Sequence, residues 1–173
     1  MKSSITLTAK VILASLFLLF LNQKLKAQTI IYVDSANVAG THNGTSWATA
    51  YNNFATALAA ASSGSQIWVA KGTYQPASSA SFSPASDNID IYGGFTNTSV
   101  LFTDRNAATN VTILKGNGKS VLSYSSSITS ATALDGFTIT NGTGTGTTGA
   151  ASGGGISIVS ASPTLSTKGW QYE

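Results

Sequence analysis

The chain has 173 residues and a formal net charge of +3, it contains no cysteine, and only 9% of its residues are charged. The length suits one domain, and the lack of cysteine excludes a disulfide framework and a thiolate metal site. Four of the nine basic residues precede residue 28, so the remainder carries five basic and six acidic side chains. Its net charge of −1 offers no electrostatic surface for nucleic acid, and we expect no nucleic-acid partner.

Residues 1–27 have the features of an export signal. Basic residues precede a largely apolar run from Val11 to Leu21, which is short for a bilayer span, and Ala27 is a small residue suited to signal cleavage. We therefore expect cleavage before Gln28, a secreted or cell-surface location, and no stable membrane span after cleavage. The alternative is an uncleaved membrane anchor.

A strand and a helix are predicted next. TIIYV (29–33) is rich in β-branched residues, which favours a short strand, and a loop of turn-forming residues follows it. Apolar residues then recur at the spacing of one helix face: Phe54, Ala57, Leu58 and Ala61. Asn52 or Asn53 can cap the start of this helix and Gly64 can close its end. We expect these elements to form an N-terminal unit, residues 28–65, ahead of a repeat region, residues 66–173.

The repeat region contains four strand-like segments that each end in a glycine. The glycines are Gly72, Gly94, Gly116 and Gly142, separated by 22, 22 and 26 residues. A repeat of this length that carries strands but no recurrent helix predicts a solenoid, in which stacked coils bury a continuous apolar column. The glycines would lie at corners that need a positive φ or a close backbone approach. The alternative is an antiparallel sandwich with irregularly spaced strands.

Aligning the segments on their glycines predicts which side chains face inward, because side chains alternate along a strand. The predicted inward residues are Ile67, Val69, Ile89, Ile91, Val111, Ile113, Phe137 and Ile139. The predicted outward residues are Trp68, Ala70, Asp90, Tyr92, Thr112, Leu114, Thr138 and Thr140.

Several segments also resemble a known group of proteins. IYVDSANVAGTHNGTSWATAYNNFATALAAASSGSQIWVAKGTYQP, IYGGF, ATNVTILKGNG and LDGFTITNG are similar to the first part of secreted right-handed parallel β-helix proteins of Bacteroidetes-type bacteria, within the pectin-lyase-like superfamily. The resemblance covers most of residues 30–165. It implies an all-β fold, a right-handed parallel β-helix of about four coils, with the short N-terminal helix capping the first coil. The repeating pattern of strand segments ends after SPTL, so we expect a chain truncated at its C-terminus that can self-associate through an open last coil.

The predicted outward face offers little for catalysis. A polysaccharide lyase needs a base and clustered cations, whereas this face offers Asp90 alone. His42 is the only histidine and lies in a loop. We therefore predict no catalytic residue, no metal site and no cofactor. Trp68, Asp90 and Tyr92 are the predicted ligand-binding residues, because aromatic platforms beside small polar groups suit sugar rings. The alternative for Trp68 is a ring covered by the N-terminal loop, through Trp47 or Tyr32.

Two functions follow from these observations. The first is a non-catalytic secreted or cell-surface scaffold, adhesin-like or carbohydrate-contacting, whose partner is a polysaccharide or cell-surface glycan. The alternative is the N-terminal part of a polysaccharide lyase or glycoside hydrolase whose active-site coils lie downstream.

Overall fold

The computed structural model describes residues 28–38, 40–125, 127–129, 131–144, 154–159 and 161–166. The predicted export signal, residues 1–27, and the last residues, 167–173, lie outside the described residues. Within the described part the chain is all-β, with parallel sheets and one α-helix. The ten strands are β1 Ile30–Val33, β2 Gln66–Ala70, β3 Gly72–Tyr74, β4 Asp90–Phe95, β5 Thr112–Lys115, β6 Leu122–Tyr124, β7 Ala133–Asp135, β8 Thr138–Thr140, β9 Ile156–Ile158 and β10 Thr164–Ser166.

The strands form three sheets in which every described pairing is parallel. The first sheet has the order β1-β2-β4-β7-β10, the second β3-β5-β8, and the third pairs β6 with β9. From β4 onward the chain passes from the first sheet to the second, then to the third, and returns to the first, whereas β3 of the second sheet is followed directly by β4 of the first. Each return adds a strand beside the strand laid down before it.

The predicted helix is confirmed as α1, Phe54–Ala60. The side-chain oxygen of Asn53 accepts hydrogen bonds from the backbone N–H groups of Ala55 and Thr56 at 2.8 and 3.3 Å, so Asn53 is the N-cap of this helix. Phe54 is buried in the core, where its ring lies 4.9 Å from that of Phe82. The helix thus buries one face against the interior that the sheets enclose.

The interior is filled from all three sheets. Its largest fully buried side chains are Tyr124, Phe54, Phe82, Phe95, Phe137, Leu58, Ile67, Ile89, Ile91, Leu114, Leu122 and Ile128. All of these except Phe95 belong to one contiguous apolar cluster. The predicted inward residues of β2, of the start of β4 and of the β8 segment are therefore confirmed as buried.

The prediction for the β5 segment is wrong. Val111 is 41% exposed and Ile113 is half-buried, whereas Thr112 and Leu114 are buried. Strand β5 lies in the second sheet between β3 and β8, not beside β4. The neighbours of Ile91 across the first sheet are accordingly Ile67 and Leu134, and not Val69 and Ile113 as the glycine alignment predicted.

Two of the aligned glycines have different roles: Gly94 lies inside β4 and not at its end, whereas Gly116 directly follows β5 as predicted. Gly94 has a φ of +92°, a backbone conformation that side chains with a Cβ rarely adopt. Gly116 has no such φ, but a Cβ there would collide with the carbonyl group of Asn141 in the next strand layer. Backbones therefore pass each other closely at this corner, and only a glycine leaves room for that approach.

Candidate functional site

Trp68 is covered, so the prediction of an exposed aromatic platform at this position is wrong. Only 4% of the residue is exposed. Its ring stacks on Phe95, with centroids 4.5 Å apart and planes 6° apart, and the edge of Tyr32 lies 5.9 Å away. Trp47 packs on Tyr32 in turn, at 4.8 Å. The structure agrees with the alternative interpretation of the sequence, in which the N-terminal loop covers Trp68.

These rings belong to a larger group on the outer side of the first sheet, which we call the outer aromatic cluster. Its members are Tyr32, Trp47, Trp68, Tyr92, Phe95 and Phe102. The cluster is separate from the interior, because Trp68 and Phe95 lie outside the contiguous core. On the same strand as Trp68, Ala70 was predicted to be outward, and it is buried.

Tyr92 and Asp90 lie on the same face of β4 at the edge of this cluster. The ring of Tyr92 meets Phe102 edge-on at 4.8 Å and carries the guanidinium of Arg105 at 5.2 Å from its centroid. Burial of the hydroxyl raises the pKa of Tyr92. Asp90 is partly exposed and accepts a hydrogen bond from the side-chain amide of Gln28 at 3.3 Å. The three predicted site residues are thus close together, but the rings of Trp68 and Tyr92 are occupied by protein contacts.

Arg105 fastens two strands of the first sheet. Its Nη2 lies 2.6 Å from Oδ2 of Asp135 on β7, and its Nε donates to the carbonyl oxygen of Gly93 on β4 at 2.5 Å. The same guanidinium lies 5.7 Å from the centre of the Phe102 ring. Both charged side chains are largely buried. Arg105 therefore has a structural role, because it links β4 to β7 beside the outer aromatic cluster.

Asp87 is also engaged in structure rather than free for chemistry. Its carboxylate accepts hydrogen bonds from the hydroxyl and backbone N–H of Thr129 at 2.6 and 2.9 Å, and from the hydroxyl of Thr132 at 2.8 Å. The Thr129 hydroxyl is the main reason why the pKa of Asp87 lies below its usual range. This carboxylate ties the loop before β4 to the loop before β7.

A cleft of about 450 Å³ opens next to the outer aromatic cluster. Two segments form it, the loop that follows β1 and the loop that follows β4. The residues that line it are Asp34, Ala36, Asn37, Val38, Trp47, Ala48 and Asn97. The volume lies within the roughly 300–1,000 Å³ typical of small-molecule sites. We call this feature the loop cleft.

Hydrogen bonds hold the two sides of the loop cleft in place. The indole Nε1 of Trp47 donates to the carbonyl oxygen of Ser99 at 2.6 Å, which joins the first loop to the second. The side-chain amide of Asn37 donates to the carbonyl oxygen of Ala50 at 2.9 Å. Trp47 is half-buried, so part of its ring remains available at the cleft while its N–H group is already used.

Asp104 orders the second loop. Its Oδ2 accepts hydrogen bonds from the backbone N–H groups of Val100 and Leu101 at 2.7 and 2.9 Å, and these bonds lower the pKa of Asp104. The loop so held displays Val100 and Leu101 to solvent, and Val38 on the opposite loop is 92% exposed. Exposed apolar side chains thus flank a cleft whose wall carries amide groups and one carboxylate.

Sequence reasoning missed the loop cleft because it assigned residues 34–50 to an undifferentiated loop. The available signal was Trp47, a large aromatic residue inside a stretch that otherwise consists of small and polar residues. Such a residue needs a packing partner or a ligand. His42 agrees with its interpretation as a structural loop residue, since its Nδ1 lies 3.0 Å from the carbonyl oxygen of Ala50.

The described residues hold no group of three His, Cys, Asp or Glu side chains arranged to bind a metal ion. In the same part of the chain, no helix has the length and apolar character needed to cross a membrane.

Comparison with known proteins yields one match. No curated protein and no solved structure matches the chain. The family described as protein of unknown function DUF1565 matches residues 26–169, a span that includes β1, α1, the loop cleft and all the remaining strands. The chain therefore belongs to the DUF1565 family.

Proposed function

We propose that this chain is a right-handed parallel β-helix that works as a non-catalytic scaffold, secreted or on the cell surface, and contacts carbohydrate through the loop cleft. The proposal keeps the predicted function and moves the contact site from Trp68, Asp90 and Tyr92 to the cleft around Trp47.

The order in which the chain visits the three sheets supports the β-helix. Strands β4 to β6 and then β7 to β9 visit the three sheets in the same order, β2 and β3 visit the first two of them, and all described neighbours pair in parallel. Parallel neighbours require a crossover between them, and a helical coil of strands provides it without crossover helices. The close approach of Gly116 to the backbone at Asn141 fits coils stacked directly on each other.

The partly exposed face of Trp47 is the observation that carries the carbohydrate contact. An aromatic face accepts the C–H side of a sugar ring, while neighbouring amides can hydrogen-bond its hydroxyl groups. The loop cleft offers both, since Asn97 lines the same space as Trp47. The Trp47–Ser99 bond and the Asp104 bonds hold the loops in position before any ligand arrives, which lowers the entropic cost of binding.

Binding of the purified chain to an array of plant, microbial and host glycans tests the contact. Trp47→Ala should lower the affinity for any glycan bound by about tenfold or more, as expected for an aromatic anchor. Asn97→Ala should weaken binding without disturbing the core, because Asn97 is exposed. Asn52→Ala is the matched control, since Asn52 is exposed and does not line the cleft. Glycan binding that survives both cleft variants would place the contact elsewhere, and no binding at all would refute it.

Export is tested separately from glycan binding. Expression of the full chain in a Gram-negative host, followed by N-terminal sequencing of the exported protein, should give a first residue at or within a few positions of Gln28. Recovery of the intact chain with Met1 in the membrane fraction would contradict the proposed location.

A further inference from the structure

We infer that the loop cleft selects uncharged saccharides and rejects uronic-acid polymers. The inference rests on the proposed carbohydrate contact and adds a ligand class to it. It depends on three features of the cleft: a fixed carboxylate in its wall, the lack of a balancing cation there, and the amide and apolar groups that make up the rest of the lining.

The fixed carboxylate belongs to Asp34. It lies directly after β1 and lines the cleft, although only 4% of the residue is exposed. Its Oδ1 accepts a hydrogen bond from the backbone N–H of Ala36 at 2.9 Å, and its own N–H donates to the carbonyl oxygen of Tyr51 at 2.9 Å. Asp34 is thus held at both its backbone and its side chain. A negatively charged ligand that enters the cleft would be repelled by a carboxylate that these hydrogen bonds hold in place.

No lysine or arginine is among the described residues that line the cleft. Arg105 is the basic residue of the neighbouring cluster, and it is already paired with Asp135 and bound to the carbonyl of Gly93. A carboxylate-bearing sugar needs a guanidinium or ammonium partner to offset its loss of water. The cleft provides a like charge in place of that partner.

The rest of the lining suits a neutral sugar. Asn97 presents an amide group, which can both donate to and accept from hydroxyl groups. Ala36, Val38 and Trp47 present apolar surface for the C–H faces of a pyranose ring. An uncharged oligosaccharide uses both kinds of surface and brings no charge near Asp34.

Isothermal titration of the purified chain with two oligosaccharides of equal length tests the inference. Xylohexaose serves as the neutral probe and hexagalacturonate as the acidic one. A like charge within about 6 Å of the Asp34 carboxylate is expected to weaken hexagalacturonate binding roughly tenfold relative to xylohexaose. The difference should shrink in 1 M salt, where screening acts over about 3 Å instead of about 10 Å.

The substitution Asp34→Asn removes the negative charge and keeps the hydrogen bond that shapes the loop. Asparagine keeps an oxygen that can accept the Ala36 N–H, so the loop should retain its shape. The variant should raise the ratio of hexagalacturonate affinity to xylohexaose affinity about tenfold over that of the wild-type chain. Asp90→Asn is the matched control, because Asp90 is a partly exposed carboxylate on the first sheet that does not line the cleft. It should leave both affinities unchanged.

The outcomes distinguish the inference from the proposal beneath it. Wild-type binding of hexagalacturonate as tight as that of xylohexaose would overturn the inference while the carbohydrate contact stands. An unchanged ratio in Asp34→Asn would overturn it as well. If neither of these probes nor any glycan on the array binds, the carbohydrate contact itself fails, and the inference fails with it.

Discussion

The inward face of β5 can be tested with two neighbouring substitutions, Leu114→Ala and Ile113→Ala. Leu114 is fully buried, and its partners in the second sheet are Tyr74 and Ile139, both of which are buried as well. Removing a leucine side chain from such a packed site leaves a cavity and costs about 2–5 kcal/mol of unfolding free energy. Ile113 points the other way and is half-buried, so its truncation should cost about 1 kcal/mol.

Urea unfolding followed by tryptophan fluorescence measures this difference, because Trp68 is buried against Phe95 and should change its emission when the strands separate. The expected result is a lower midpoint for Leu114→Ala by at least twice the shift seen for Ile113→Ala, with similar slopes for both. The glycine alignment of the sequence requires the opposite order. A larger loss for Ile113→Ala would therefore refute the register of β5 in the structure.

Two further predictions concern contacts between successive strand layers. Asp87→Asn should destabilise the protein at neutral pH by weakening the bonds from Thr129 and Thr132. Because the pKa of Asp87 is lowered on folding, its contribution is present above the unfolded-state pKa of about 3.9 and is lost as the pH falls through the folded value. Urea midpoints of wild type and variant should therefore converge in acid. Gly116→Ala should reduce thermal stability, since its Cβ would collide with the carbonyl of Asn141; an unchanged melting temperature would contradict the close stacking there.

The helix and the first two inward pairs could be predicted because their signals are local. Helix α1 follows from the spacing of Phe54, Ala57 and Leu58 together with the capping asparagine, all within one short segment. The inward residues of β2 and β4 were predicted correctly, although the predicted register between the two strands was wrong. The alignment placed Ile67 beside Ile89, whereas the structure pairs Ile67 with Ile91. A shift of two residues keeps every side chain on its predicted face.

The prediction for β5 failed because the observed register differs from the predicted register by one residue, which is an odd number. Alignment on Gly116 and Gly142 placed Ile113 beside Ile139, but the structure pairs Ile113 with Thr138 and Leu114 with Ile139. A shift of one residue moves every side chain to the opposite face of the strand. The glycines mark corners in both cases, but the number of residues between the last paired position and the corner differs from strand to strand. Local sequence offers no measure of that number.

The prediction that the outward residues are exposed failed for a different reason, which lies in tertiary structure. Alternation correctly put Trp68 on the face opposite Ile67 and Val69, since Trp68 lies outside the core cluster. Whether an outward residue is exposed depends on what lies over it, and here Tyr32 and Phe102 come from other parts of the chain. The unbroken apolar run IWVA, residues 67–70, is typical of a parallel strand covered on both faces, and this was the signal available in the sequence.

The covering of that outer face and the formation of the loop cleft have the same origin. The loop after β1 contributes Trp47 to the outer aromatic cluster, and the loop after β4 leads into Phe102. The ring contacts of Trp47 and Phe102 tie both loops to the outer aromatic cluster, and the Trp47–Ser99 hydrogen bond joins the loops to each other. A surface site between two loops normally loses affinity to their motion. Here the same packing that keeps Trp68 from solvent holds the two loops that carry Trp47 and Asn97, so the proposed glycan would meet a preformed surface.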